Sequence, residues 1–194
     1  MADFKEAYKK TMGHEGYYSN DPVDAGGETW KGIARRFHPK WSGWKIIDAY
    51  KNEPNFPNNI KDNYELEEKV KEFYKTVSWD ELLGDQISSQ YIGEELFDTA
   101  VNMGVGRASR FLQNALNVLN RSEKLYNNIG VDGDVGPNTI KALNALLNIP
   151  GEEATLYKVL NILQGYHYVN NMVESESQEK YARGWLSRVD FIKH

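Results

Sequence analysis

The sequence contains no cysteine. That excludes a disulfide framework and a thiolate-held metal. The four histidines, His14, His38, His167 and His194, are scattered and match no zinc spacing, so neither a catalytic metal nor a cofactor is expected. Long apolar runs are missing too. Nothing approaches the ~18 residues of a membrane span, and the opening MADFKEAYKK lacks the apolar stretch of a secretory signal. Positive charge is short: 23 basic residues face 28 acidic ones, for a net charge of −5. A non-specific nucleic-acid binder, which needs basic stripes, is disfavoured on that ground. Sustained two-residue alternation is also absent, so strand content is expected to stop at one small hairpin around residues 20–33. No repeat, low-complexity segment or linker interrupts the chain.

What remains is ordinary globular composition, with 40% hydrophobic and 26% charged residues over 194 positions, enough for one good core. The stretch that carries chemistry is MGHEGYYSNDPVDAGGETWKGIA, from Met12 to Ala34. Phe4, Tyr8 and Met12 fall at i, i+4 and i+8 and predict a short amphipathic helix; Thr11 and Glu15 continue its inner face, with Gly16 as a helix stop. A carboxyl held beside apolar groups keeps its proton to higher pH, which suits a general acid. Asp24 follows in a polar loop where a carboxylate stays ionised, and Thr29 offers a hydroxyl to orient a water. Two carboxylates in contrasting surroundings are what glycoside hydrolysis uses. A helix-terminal glutamate turned into water is the plainer reading of Glu15 taken alone.

The wording of the stretch resembles the N-terminal signature of glycoside hydrolase family 108. The matching residues are Glu15-Gly16-Tyr17-Tyr18, Asn20, Pro22, Asp24, Gly26-Gly27, Thr29 and Gly32-Ile33. The chain departs from the pattern with Tyr17 in place of the usual second glycine and with Asp21 inserted before Pro22. The resemblance implies N-acetylmuramidase activity on the glycan strands of peptidoglycan, with Glu15 as acid. The order of Glu15, Asp24 and Thr29 is also similar to the catalytic trio of phage-type lysozymes. Asp21 stands close enough to compete with Asp24 for the second role. Tyr17, Tyr18 and Trp30 are candidates for stacking on sugar rings, and Asn20 joins them as a candidate substrate contact.

Further along, Ser42 is a candidate cap for a helix to about Asn52, and Asn52 to Asn63 reads as loop. A helix from Tyr64 to Val77 would turn Leu66, Val70, Phe73 and Val77 inward. Helices over 88–103 and 108–119 flank Asn102-Met103-Gly104-Val105-Gly106, a turn that resembles the family's central helix pair. Asn102 is a candidate for the sugar cleft, or for shaping the turn. Asp132 and Asp134 do not fit a calcium loop, because Leu143 stands where the closing glutamate belongs. The GVDGDVGPNT turn is similar instead to the family's peptidoglycan-binding region, with Pro137 opening a helix. A long helix over 152–174 is expected to bury Leu156, Leu160, Leu163, Tyr166, Asn170 and Val173, and a last one carries Tyr181, Trp185, Val189 and Ile192.

The expectation is therefore a mainly α, lysozyme-like helical globule. Residues 1–94 would be the catalytic region and 95–194 a peptidoglycan-binding region packed with it. A monomer is expected, made without a signal peptide and acting at the wall or periplasm after lysis or export, with a holin or secretion system as helper. A lytic transglycosylase and a non-catalytic wall-binding or secretion-associated module are the alternatives. Retention of Glu15, Asp24 and Thr29 together speaks against both.

Overall fold

A computed structural model describes residues 1–13, 16–20 and 26–190. It is mainly α-helical, with one small three-stranded sheet near the N-terminus. Helix α1 spans Phe4–Met12 and starts at Asp3, whose carboxylate accepts from the backbone N–H groups of Lys5 and Glu6. It closes at Met12 with Gly13 as its cap, ahead of the Gly16 stop that periodicity suggests. Strands β1 (Tyr18–Asn20), β2 (Glu28–Trp30) and β3 (Ile33–Ala34) form an antiparallel meander in the order β1-β2-β3. The two-residue turn from β2 to β3 holds Lys31 at φ 44° and Gly32 at φ 80°. Positive φ at both positions matches the twist of the strands it joins.

Helix α2 (Gly43–Tyr50) leads through a 3-10 turn at Asn58–Ile60 to α3 (Tyr64–Tyr74), capped by the Asn63 side chain. Here the structure corrects the expected register. The α-helix does not run to Val77. A π-turn over Lys75–Trp79 widens the coil, sends Val77 to the surface and drives Trp79 fully into the core. The Trp79 ring meets Phe4 and Phe97 edge-on, and its Nε1 donates to Asp85 Oδ1 at 2.6 Å. A buried indole that satisfies its one donor is worth more than an unbroken helix turn.

Helix α4 (Gln90–Met103) starts at Ser89, whose hydroxyl accepts from the Ile92 N–H, and buries Ile92, Leu96, Phe97 and Ala100. Gly104, at φ 84°, separates it from α5 (Val105–Leu119), which begins three residues earlier than the apolar spacing suggests. Pro137 opens α6 (Pro137–Leu147), and α7 runs over Glu152–Glu174. The inner face of α7 differs from the expected stripe. Leu156 and Leu160 are buried, but Tyr157, Asn161, Gln164 and Tyr168 share that face, while Tyr166 and Val173 are exposed. Polar groups go inside because they find partners: Asn161 Oδ1 accepts from the Asp190 N–H at 2.7 Å, and Gln164 Nε2 donates to Thr99 Oγ1 at 3.2 Å.

The polar break after α7 folds as a 3-10 turn over Glu176–Tyr181, and the last helix, α8, is short (Ala182–Leu186). Trp185 stacks between Tyr168 and Tyr181, with centroids 5.1 and 5.5 Å away. Ile192 lies outside the described residues. Arg188, its side chain 9% exposed, pairs with Asp98 of α4 at 2.8 Å. The buried cluster runs without a break from Tyr8, Ile33 and Ile47 through Phe97 to Leu143 and Leu160. Among the described residues no helix is long and apolar enough to cross a membrane.

Two tests follow from this packing. A Cβ added at Gly84 would sit 2.3 Å from the Trp79 ring, so Gly84→Ala is expected to destabilise by ~1–3 kcal/mol through overpacking. Thermal unfolding reads this as a lowered midpoint, and an unchanged midpoint would mean that the indole has room to shift. Deleting everything after Gly130 would strip α6, α7 and the Arg188–Asp98 pair from α4 and α5. The fragment is expected to be insoluble or poorly folded because it exposes a large apolar surface. A soluble, monomeric and active fragment would instead show that the N-terminal part folds by itself.

Candidate active site

The candidate site is framed where α1 ends and the sheet begins. Glu15, Asp24 and the competing Asp21 lie outside the described residues, and their frame is built from the residues on either side. Two hydrogen-bonded networks hold that frame.

The first fastens the sheet to α2. Glu28, at the start of β2, accepts from Tyr18 Oη at 3.0 Å and from Lys51 Nζ at 2.8 Å, and pairs with Arg35 Nε at 2.7 Å. The Arg35 guanidinium also forks onto both Asp48 oxygens, at 3.0 and 2.6 Å, while lying 4.3 Å from the centre of the Trp44 ring. The hydrogen bond from Arg35 holds the Asp48 carboxyl below its usual range. Burial, with the bond to Glu28 next, raises the Tyr18 phenol.

The second fastens the sheet to α1 and α3. Glu67 of α3 accepts from Tyr8 Oη at 2.8 Å and from Lys31 Nζ at 2.6 Å. The backbone of Lys31 is gripped as well: its N–H donates to the Tyr17 carbonyl at 2.8 Å, and its carbonyl accepts from Tyr74 Oη at 2.6 Å. The ammonium of Lys31 stands 5.1 Å from the centre of the Tyr17 ring. Desolvation and the neighbouring Glu67 raise the Tyr8 phenol strongly, so it remains a donor at any working pH. In the sequence Tyr8 occupies a plain apolar position, and neither Lys31 nor Glu67 belongs to a motif. A glutamate beside the apolar face of a helix carries no signal of its partners in one sequence.

The structure sorts the other candidates. Thr29, half-buried, faces Ser19 and Ala34 across the sheet, and its hydroxyl donates to the Gly27 carbonyl at 3.2 Å. With its proton so used, Oγ1 keeps lone pairs to accept from a water. Tyr17 is 48% exposed and offers a ring face. Asn20 is exposed at the end of β1, opposite Glu28. Tyr18 is half-buried, edge-on to Phe56 at 4.7 Å. Trp30 is 1% exposed and belongs to the core beneath the sheet, so it has no free face for a sugar. Asn102 sits in the last turn of α4, where its Nδ2 donates to the Asp98 carbonyl at 3.3 Å. That bond favours the turn-shaping role.

Two cavities adjoin this frame. A groove of about 710 Å³ runs between α1 and α3, and one of about 190 Å³ lies between α1, α4 and the Arg188 segment. Among the described residues no cluster of His, Asp or Glu has the arrangement of a metal site. Asp132 accepts from Gln113 Nε2 at 2.7 Å and from the Asp134 N–H at 3.0 Å, so this acidic turn is closed by protein donors.

A solved structure of Brucella abortus SagA is similar in fold, with a TM-score of 0.62 at 20% identity, covering 96% of this chain and 88% of that one. Among curated proteins nothing matches. A family model described as "Predicted Peptidoglycan domain" matches residues 107–190. The model for "Glycosyl hydrolase 108" matches residues 8–104, taking in the whole frame of the candidate site, and the chain belongs to that family.

Proposed function

We propose that this peptidoglycan-acting glycoside hydrolase is an N-acetylmuramidase. It cuts the bond from N-acetylmuramic acid to N-acetylglucosamine, with Glu15 as general acid. One observation carries the reading: the family match over residues 8–104 spans Glu15, Asp24 and Thr29 together. Support comes from the neighbours in sequence: Glu15 comes three residues after the end of α1 and Thr29 stands in β2, and the Glu67 and Glu28 networks tie those two elements to α3 and α2. In the reaction, Glu15 delivers its proton to the glycosidic oxygen as the bond to the anomeric carbon breaks. Asp24 activates a water or stabilises the oxocarbenium-like centre, and Thr29 accepts a hydrogen bond from that water. Tyr17 supplies an exposed ring for a pyranose face, with Asn20 beside it. The protein works at the cell wall, with a holin or secretion system delivering it there.

Glu15→Gln retains size and polarity but removes the transferable proton. Clearing of purified walls should fall by ~10²-fold or more, while the unfolding midpoint stays in place. Equal clearing by the variant and the parent would remove Glu15 from the acid role. Asp24→Asn and Thr29→Ala should each lower turnover with small loss of stability, and Asp21→Asn should not. The reverse result for the two aspartates would move the second carboxylate to Asp21. Mass spectrometry of the products separates hydrolysis, which adds water at the new reducing end, from transglycosylation, which leaves an anhydro ring.

A further inference from the structure

Thr29, Tyr17 and Asn20 are not among the residues that line the groove between α1 and α3, and its lining is distinctive. Phe4, Tyr8 and Met12 of α1 supply an apolar wall, and Tyr64, 77% exposed, stands across from them at the start of α3. Met12 and Gly13, at the C-terminal end of α1, also line it. Two of its acidic residues are already engaged: Glu67 by Tyr8 and Lys31, and Glu68 by Lys71 at 2.7 Å. Lys5 and Lys9 lie one turn apart on the same side of α1, both exposed, and neither forms an ion pair among the described residues. In a chain of net charge −5, this lip therefore has a local surplus of positive charge.

An exposed tyrosine over an apolar wall suits the flat face of an acetylated sugar, and two unpaired ammonium groups suit a carboxylate. We propose that this groove is an accessory binding site for a muramyl unit of peptidoglycan, with the sugar against Tyr64 and Met12 and a carboxylate between Lys5 and Lys9. The identity of the polymer rests on the muramidase reading. The preference for a carboxylate-bearing sugar rests on the groove itself. Two sources supply that carboxylate, the lactyl group of a peptide-free muramyl sugar and the acids of a stem peptide. The groove also supplies attraction to an anionic wall where the net charge of the whole protein opposes it.

The test is an amide NMR titration of the full chain with three soluble probes: a disaccharide–peptide, the same disaccharide without its peptide, and an N-acetylglucosamine oligomer without any carboxylate. The carboxylate-bearing probes should shift the amides of residues 5–13 and 64–71. The double change Lys5→Glu with Lys9→Glu should weaken their binding roughly tenfold, the scale of two exposed charge contacts reversed. Affinity for the uncharged oligomer should change less, and added salt should weaken the parent's binding to the charged probes. The stronger of the two charged probes identifies the source of the carboxylate. Lys5→Ala with Lys9→Ala provides the same reading without introduced repulsion. Shifts confined to other parts of the chain, or binding indifferent to both lysine pairs, would overturn the proposal even if walls are cleared normally. Failure to clear walls at all would fall on the muramidase reading instead.

Discussion

The site depends above all on one half-buried carboxylate. Glu67 receives the phenol of Tyr8 and the ammonium of Lys31, so a single side chain of α3 fixes both the last helical turn before Glu15 and the turn that closes the sheet. Lys31 carries the strain of a left-handed backbone at φ 44°, a conformation that costs a residue with a side chain of order 1 kcal/mol. Its amide, carbonyl and ammonium are each occupied, which is how such a conformation persists. Catalytic groups on loops need rigid neighbours, because an error of ~1 Å in placement costs orders of magnitude in rate. Here rigidity comes from three elements meeting at one anion.

Much of the fold is legible in the sequence because local chemistry and tertiary packing agree there. Pro137 opens α6, and α7 keeps the expected bounds. The failures are equally physical. Periodicity assumes a uniform coil, and the π-turn before Trp79 breaks that assumption for the sake of the largest buried ring nearby. Periodicity also counts polar residues as outside, which misplaces Asn161 and Gln164 on α7, since each has a partner waiting in the core. Ser42 illustrates a third case: it precedes α2, but its backbone is already helical and its hydroxyl caps nothing.

For the candidate site, residue type and order point to the proposed trio, since an acid, a second carboxylate and a hydroxyl are chemically specific. They did not identify its supports. Tyr8, Glu67 and Lys31 come together only through the packing of α1 on α3, and no spacing rule links positions so far apart in the chain. Trp30 shows the opposite error. An aromatic beside a catalytic loop invites a stacking role, but a ring that large, on the inward side of a short sheet, does more for the protein by filling its core.

The glycine between α4 and α5 has a bearing on how the two matched regions fit together. The match to the hydrolase family ends at Gly104 and the match to the peptidoglycan domain begins at residue 107, so the border between the two matched regions falls at the start of α5, just after a residue with φ 84°. The border in sequence is not a border in space, for α4 packs against both α5 and α7 and holds Arg188 through Asp98. Helix α4, inside the first matched region, therefore presents its faces to helices of the second, and a substitution on it is felt on both sides of the border.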